Sequence, residues 1–359
     1  MIDRTRNTLI LTGQHVSDIV ERFGLDPLMD LLIERLALAI AGYQPEKTEI
    51  PVRSGFNYLS ENPGLIEWMP VHCKDREVVI KVVGYHPKNP AAFSLPTILS
   101  SIYAYDTGSG HLKGIADGVL LTALRTGAAS AVASRYMANP SSTVLGLIGC
   151  GAQSVTQLHA LSREFSFKQV LIYDKEEDVM QSFRDRISML QLNLDIIPSD
   201  MEHIMLTSDI VCTGTSIGVG EGPLFKGIRS NPHIHINAIG SDFPGKTELP
   251  PELLRQAVVC PDFLEQAVIE GECQQLRPEE IGPDWVTLIQ NYHAYPDIRN
   301  SRSVFDSTGW ALEDQVVMQL FMELAEKFNI GLEVALENIS ADAKNPYHFL
   351  YSELVPTRH

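Results

Sequence analysis

Apolar residues fall at helical spacing across positions 26–41, where Leu28, Leu31, Leu32, Leu36 and Ile40 share one face. This periodicity predicts an amphipathic helix near the start of the chain. Extended apolar segments follow at 67–71, 78–84 and 97–105, set apart by Gly and Pro and closed by a turn at 106–110. Positions 122–136 are rich in Ala and Leu, which favour helix. Up to about residue 134 the pattern therefore reads as a small sheet with helices.

From position 143 the rhythm changes to strand, helix, strand. Short apolar strands are expected at 144–148, 169–173, 210–213, 235–239 and 257–260, with a helix at 153–164 after the first of them. That alternation predicts an open parallel sheet, so the fold class is α/β, with a doubly wound nucleotide-binding domain over 135–310. A final helix at 310–327 carries Leu312, Val316, Leu320 and Leu324 on one face, which should pack against the first region. The expected layout is then a smaller α+β domain at 1–134, completed by 311–359, flanking the nucleotide domain. No internal repeat or low-complexity run interrupts it.

Composition narrows the functional classes. At 359 residues the chain suits two cores, and 44% hydrophobic with 20% charged residues is globular rather than disordered. The formal net charge of -17 argues against nucleic acid as a partner, because phosphate binding needs Lys and Arg in excess. Five widely spaced cysteines (Cys73, Cys150, Cys212, Cys260 and Cys273) sit mostly in apolar runs and read as reduced core residues. No Cys-x-x-Cys or His-x-x-x-His spacing suggests a metal site. Neither a signal peptide nor an apolar run of about 18 residues is seen, so no membrane association and a cytoplasmic location are expected.

The chemistry begins at Gly149-Cys150-Gly151-Ala152-Gln153-Ser154, directly after the first parallel strand. In a dinucleotide fold Gly149 would allow the tight turn and Gly151 would let backbone approach a pyrophosphate at the helix N-terminus. Alone, such a pattern also describes an ordinary strand-to-helix turn. The next strand, however, ends in Asp174, about twenty residues on, where a carboxylate would accept both ribose hydroxyls. That carboxylate would repel a 2'-phosphate, favouring NAD over NADP, although Lys175 stands beside it.

Ligands of open parallel sheets bind beyond the carboxyl ends of the strands, which directs attention to residues 213–216 and 240–246. Asp242 is the carboxylate placed to face a nicotinamide, with a turn or helix-capping aspartate as the plain alternative. In the first region, Arg53, Glu67, Lys81 and Arg125 lie in or beside apolar segments. Each could be an edge residue taken singly. Together, three cations and an isolated acid suit a zwitterionic ligand, the cations on its carboxylate and the acid on an amine.

Several ordered strings carry a more specific resemblance: Thr122-Ala123-Leu124-Arg125-Thr126, the glycine string, Asn237-Ala238-Ile239-Gly240-Ser241-Asp242, Pro244-Gly245-Lys246-Thr247-Glu248-Leu249, Glu270-Gly271-Glu272 and Phe305-Asp306-Ser307. Through them nearly the whole chain resembles the ornithine cyclodeaminase and mu-crystallin family. The resemblance implies an NAD-binding domain joined to a substrate domain that pairs with a second subunit through its sheet, hence a homodimer. It also implies that Arg53, Lys81 and Arg125 hold an amino-acid carboxylate, that Glu67 and Asp242 meet its amino groups, and that Thr308 lies against the substrate. By the same carry-over the cofactor set is Thr97, Thr126, Gly149, Gly151, Ala152, Gln153, Asp174, Thr215, Ile239, Gly240, Ser241, Lys246 and Ser307.

The implied reaction oxidises the substrate α-carbon transiently, closes a ring with Asp242 as base for the terminal amine, releases ammonia and returns the hydride. Proline would form from ornithine or pipecolate from lysine. Thr308 replaces the Val usual in ornithine enzymes, and Glu67-Trp68-Met69-Pro70 and Gly84-Tyr85 look closer to lysine enzymes, so lysine is favoured slightly. The rival expectations are an NAD(P)-dependent amino-acid dehydrogenase or ketimine reductase of the same family, and a non-catalytic crystallin-like binder.

Overall fold

A computed structural model describes residues 7–58, 61–227, 229–338, 340, 342–347 and 350. Among them are two sheets. The first is built from β1 (Thr8–Leu11), β2 (Thr48–Glu49), β3 (Ser54–Tyr58), β4 (Gly64–Cys73), β5 (Glu77–Tyr85), β6 (Ile98–Asp106), β7 (Leu112–Asp117) and the last strand, β15 (Leu332–Val334). Its order is β15-β1-β7-β6-β5-β4-β2, with β3 also on β4; β1 runs parallel to β7, and the remaining pairs are antiparallel.

Strict alternation in β5 buries Val79, Lys81 and Val83 on one face while Val78, Ile80 and Val82 turn to the other. Side chains two apart share a face, so Lys81 lies in phase with Val79 and Val83 on the face that α12 covers. On β4 the same phase holds Glu67, Met69 and Val71, and Met69 pairs with Lys81 across the ladder. The opposite face keeps Phe56 and Ile66 exposed.

The second sheet comprises β8 (Val144–Ile148), β9 (Gln169–Tyr173), β10 (Asp195–Pro198), β11 (Ile210–Thr213), β12 (His235–Ala238), β13 (Val258–Pro261) and β14 (Ser303–Asp306). All pairs are parallel, in the order β10-β9-β8-β11-β12-β14-β13. The direction of winding reverses between β8 and β11, where open α/β sheets form a ligand crevice. Two strands, β10 and β14, are not among those expected from the sequence. Both are four residues long, and β14 joins the sheet between β12 and β13, a position that hydrophobic periodicity does not encode.

The helices are α1 (Gly13–Phe23), α2 (Leu25–Ala41), α3 (Asn89–Phe93), α4 (Val119–Met137), α5 (Ala152–Glu164), α6 (Glu177–Gln181), α7 (Phe183–Arg186), α8 (Met201–Thr207), α9 (Pro251–Leu254), α10 (Leu264–Glu270), α11 (Trp285–Gln290) and α12 (Ala311–Phe328). The boundary expected near residue 134 falls inside α4, so no linker separates the sheets there. Instead α4 packs tightly on α5: a Cβ added at Gly127 would lie 2.6 Å from the Thr156 carbonyl oxygen. After β14, α12 returns to the first region and packs against α2, α4 and β5. Its Leu312, Val316, Leu320 and Leu324 are all buried, each contributing about 1.5–3 kcal/mol of burial free energy.

Candidate active site

A cavity of about 420 Å³ opens between the two sheets. The first region supplies Arg53, Glu67, Lys81 and Tyr85; the carboxyl ends of the parallel strands supply Ile239, Asp242, Lys246, Ser307 and Thr308. Helix α4 contributes Thr122, Arg125 and Thr126, spaced three and four apart and therefore on one helical face. Gln153 enters from the first turn of α5. Residues far apart in sequence thus converge, and each cation already has a carboxylate partner.

Arg53 Nε lies 2.5 Å from Glu270 Oε1 and its NH1 is 3.5 Å from Glu67 Oε2, while NH2 donates to the Thr308 carbonyl. Lys81 Nζ is 2.9 Å from Asp314, and Arg125 bonds Glu313 and lies 3.2 Å from Asp314 Oδ1. Burial is severe here, with Lys81, Glu313 and Asp314 at most 1% exposed. Burial and the neighbouring Arg125 pull the Lys81 ammonium down to about 8, against the opposing pull of Asp314. Burial likewise raises the Glu270 and Glu313 carboxyls to about 7 despite Arg53 and Arg125.

On the nucleotide side, Lys246 Nζ donates to Asp242 Oδ1 at 2.6 Å and sits 5.1 Å from the centre of the Tyr85 ring. Ser241 is fully buried and its hydroxyl donates to the Lys246 carbonyl, so this candidate cofactor contact is spent on shaping the loop. Glu248 does comparable work for two loops. Its Oε1 accepts from the amide and hydroxyl of Thr215, and its Oε2 from the Thr213 hydroxyl and the Gly240 amide. The ends of β11 and β12 are tied together by one buried carboxylate.

The glycine loop has the form that a dinucleotide requires. Gly149 adopts φ +92°, and a Cβ there would come within 2.6 Å of the Gly214 carbonyl oxygen. At Gly151 a Cβ would meet open space, and no side chain caps the first turn of α5. Backbone N–H groups exposed at such a terminus attract an anion. Gln153 Oε1 and Ser307 Oγ, both buried in the cavity wall, lack hydrogen-bond partners among the described residues. Buried polar atoms normally bond protein or water, so these two are free to bond a group held in the cavity. Ala152 begins α5 beside them, whereas Asp174, at the end of β9, accepts from the amides of Cys150 and Glu176. Thr97 stands outside the cavity wall, one residue before the lining Ile98, its carbonyl accepting from the His86 amide.

Four acids of this site had no assigned role from sequence. Glu248 and Glu270 lie within the diagnostic strings, so a signal existed without a function attached. Glu313 and Asp314 occupy the first turn of α12, where acids ordinarily complement the helix dipole. Their partners are about two hundred residues away, and only folding reveals them.

Residues 14–328 match the family described as ornithine cyclodeaminase/mu-crystallin. The L-lysine cyclodeaminase of Streptomyces rapamycinicus is 39% identical over 345 residues, covering 95% of this chain and 99% of the relative. A solved lysine cyclodeaminase, studied for recognition of L-lysine, L-ornithine and L-2,4-diaminobutyric acid, superposes with a TM-score of 0.92 at 42% identity, covering 95% of this chain and 99% of its own. An archaeal alanine dehydrogenase dimer with bound NAD gives a TM-score of 0.79 at 29% identity, covering 92% and 100%. With the family matched over most of its length and a relative of this identity, the chain belongs to the ornithine cyclodeaminase/mu-crystallin family.

Proposed function

We propose that this protein is an NAD-dependent cyclodeaminase of basic L-amino acids, converting L-lysine to L-pipecolate or L-ornithine to L-proline with release of ammonia. The observation that carries the reading is one cavity holding paired cations (Lys81 and Arg125), two carboxylates (Glu67 and Asp242) and the wall of a dinucleotide cradle. Similarity to lysine cyclodeaminases over 95% of the chain supports it.

When bound, NAD supplies reversible hydride acceptance at the substrate α-carbon. Gly149, Gly151 and Ala152 are assigned to its pyrophosphate and Asp174 to a ribose. Thr97, Thr126, Gln153, Ile239, Lys246 and Ser307 are assigned to the remaining contacts. Thr215, Gly240 and Ser241 shape that pocket through their bonds to Glu248 and the Lys246 carbonyl.

Lys81 and Arg125, with Arg53, hold the substrate carboxylate, and Glu67 accepts from the α-amine. Thr308 closes the wall beside them. Asp242 takes a proton from the terminal ammonium, freeing the lone pair that closes the ring. Lys246 Nζ, 2.6 Å from its Oδ1, orients that carboxylate. The α-nitrogen leaves as ammonia. Positioning in a walled cavity is the chain's main contribution.

We assign substrate binding and dimerisation to 1–134 with 311–359, and NAD binding to 135–310. Exposed Phe56, Ile66, Phe93, Leu95 and Leu99 in and beside the first sheet support a homodimer. We also propose cytoplasmic residence. Lysine is the favoured substrate, although one methylene discriminates by only about 1–3 kcal/mol. A same-fold amino-acid dehydrogenase is the second reading, favoured by the likeness to the NAD-bound alanine dehydrogenase. Mass spectrometry of products from lysine and ornithine with catalytic NAD+ separates the two. Ammonia and a cyclic imino acid without NADH build-up support the lyase; stoichiometric NADH overturns it.

A further inference from the structure

We infer that Glu313 and Asp314, neighbours in the first turn of α12, are positioning residues that set where Lys81 and Arg125 stand in the cavity wall. The inference rests on the proposed amino-acid site and goes beyond it. Both acids are fully buried. Carboxylates so placed are tolerated only when cations and hydrogen bonds offset their lost hydration.

Asp314 faces two cations at once: Lys81 Nζ is 2.9 Å from each of its oxygens, and Arg125 Nε is 3.2 Å from Oδ1. Glu313 takes the other end of Arg125 through NH1 and accepts from the Trp310 amide with its second oxygen. Without these acids, two like charges would share a dry wall. Gly309 completes the seat. Its φ is +90°, and a Cβ there would fall 2.8 Å from Arg125 NH1, so bare backbone makes room for the guanidinium. Since α12 also packs on α4 and β5, one helix end fixes cations carried by two separate elements.

The charged groups facing Lys81 are Asp314 from α12, Arg125 from α4, Glu67 from β4 and Arg53 ahead of β3. Asp314 alone makes a direct hydrogen bond to its ammonium among the described residues. Lys81 titrates near 8, held there by burial and Arg125 against Asp314. If a substrate carboxylate needs the ammonium, kcat/KM falls as pH rises through that value, and loss of the Asp314 charge moves the fall to lower pH.

The test is Asp314→Asn, which keeps size and removes charge. Expected are a KM for lysine or ornithine raised about 10- to 100-fold, the factor of a lost charge-assisted bond, a smaller change in kcat, and a basic limb of kcat/KM displaced to lower pH. NAD affinity, followed by fluorescence titration, should stay at the wild-type value. In a Lys81→Gln background the same substitution should raise KM by a smaller factor, because Asp314 then acts through Arg125 alone.

A substrate-free readout keeps this separate from the proposed reaction. The ¹³Cε resonance of Lys81, assigned by its loss in Lys81→Gln, should titrate at lower pH in Asp314→Asn. If wild-type enzyme deaminates neither amino acid, the functional proposal fails, and the resonance still decides the positioning role. Unchanged KM and unchanged Lys81 titration overturn the inference, as does a parallel loss of NAD affinity. Should Asp314→Asn not fold, Glu313→Gln decides: a KM raised without a shift of the Lys81 titration sustains the inference, and an unchanged KM overturns it.

Discussion

Glu248→Gln is the substitution that isolates one structural device. The side chain is fully buried, and the amide keeps its shape, so no cavity opens; what changes is the hydrogen-bond pattern, together with loss of the carboxylate charge. Each carboxylate oxygen accepts one backbone amide and one threonine hydroxyl: Thr215 N and Thr215 Oγ1 on Oε1, Gly240 N and Thr213 Oγ1 on Oε2. A hydroxyl can rotate to accept from an introduced NH2. A backbone N–H cannot, so in either orientation the amide strands Thr215 N or Gly240 N. Leaving one buried donor unsatisfied costs about 1–3 kcal/mol.

An unfolding entropy of about 2.1 cal/mol/K per residue over 359 residues is about 0.75 kcal/mol/K. The expected fall in Tm is therefore roughly 1 to 4 °C if the chain unfolds cooperatively. Because the stranded amide belongs to a loop at the end of β11 or β12, NAD affinity should weaken as well, by about tenfold per 1.4 kcal/mol of the cost expressed there. Differential scanning calorimetry with and without NAD, at constant pH, reads both. An unchanged or higher Tm together with unchanged NAD affinity would refute the idea that these bonds hold the two loops.

Further outcomes are expected. Asp242→Asn should retain NAD affinity and abolish ammonia release from lysine or ornithine; turnover at the wild-type rate would remove Asp242 from its role as base. Gly127→Ala inserts a methyl 2.6 Å from the Thr156 carbonyl oxygen, pushing α4 from α5 at a cost of about 1–3 kcal/mol, and a melting temperature equal to wild type would contradict that packing. His235 is buried, and burial pulls its imidazole down to about 3. Its folded pKa lies below the unfolded value of about 6.5, so the stability it confers is present above that value and is lost as pH falls. Between pH 6.5 and 5 the loss is about 2 kcal/mol at about 1.4 kcal/mol per pH unit. His235→Gln should flatten this acid limb in pH-dependent melts, and a limb of equal slope would count against it. Asp262 and Asp306, whose carboxyls burial raises to about 6, respond in the opposite sense and are common to both proteins.

Much of the fold was legible in the sequence. Strands 144–148, 169–173 and 210–213 coincide with β8, β9 and β11, and the periodic helix at 26–41 is α2 less its first residue. Each has enough apolar residues in phase to declare its type locally. The glycine loop was equally plain, because a positive-φ turn into a helix leaves a specific residue pattern. What escaped was determined elsewhere. β14 is as long as β11, but its place between β12 and β13 depends on connections that enter the sheet from other parts of the chain.

The site divides along the same line. Sequence alone marked Arg53, Glu67, Lys81 and Arg125 as charges in or beside apolar segments, a local anomaly, and Asp242 by its place beyond the carboxyl end of a parallel strand. The face Lys81 takes was not among these signals, because both phases of β5 are apolar. Only the tertiary structure joined Lys81 to Asp314 and Arg125 to Glu313, turned Ser241 inward and gathered four donors onto Glu248. Hydrophobic phase is a property of neighbours along the chain, whereas the partner of a buried charge is whichever opposite charge packing brings within about 3 Å, and in this fold that charge comes from another element.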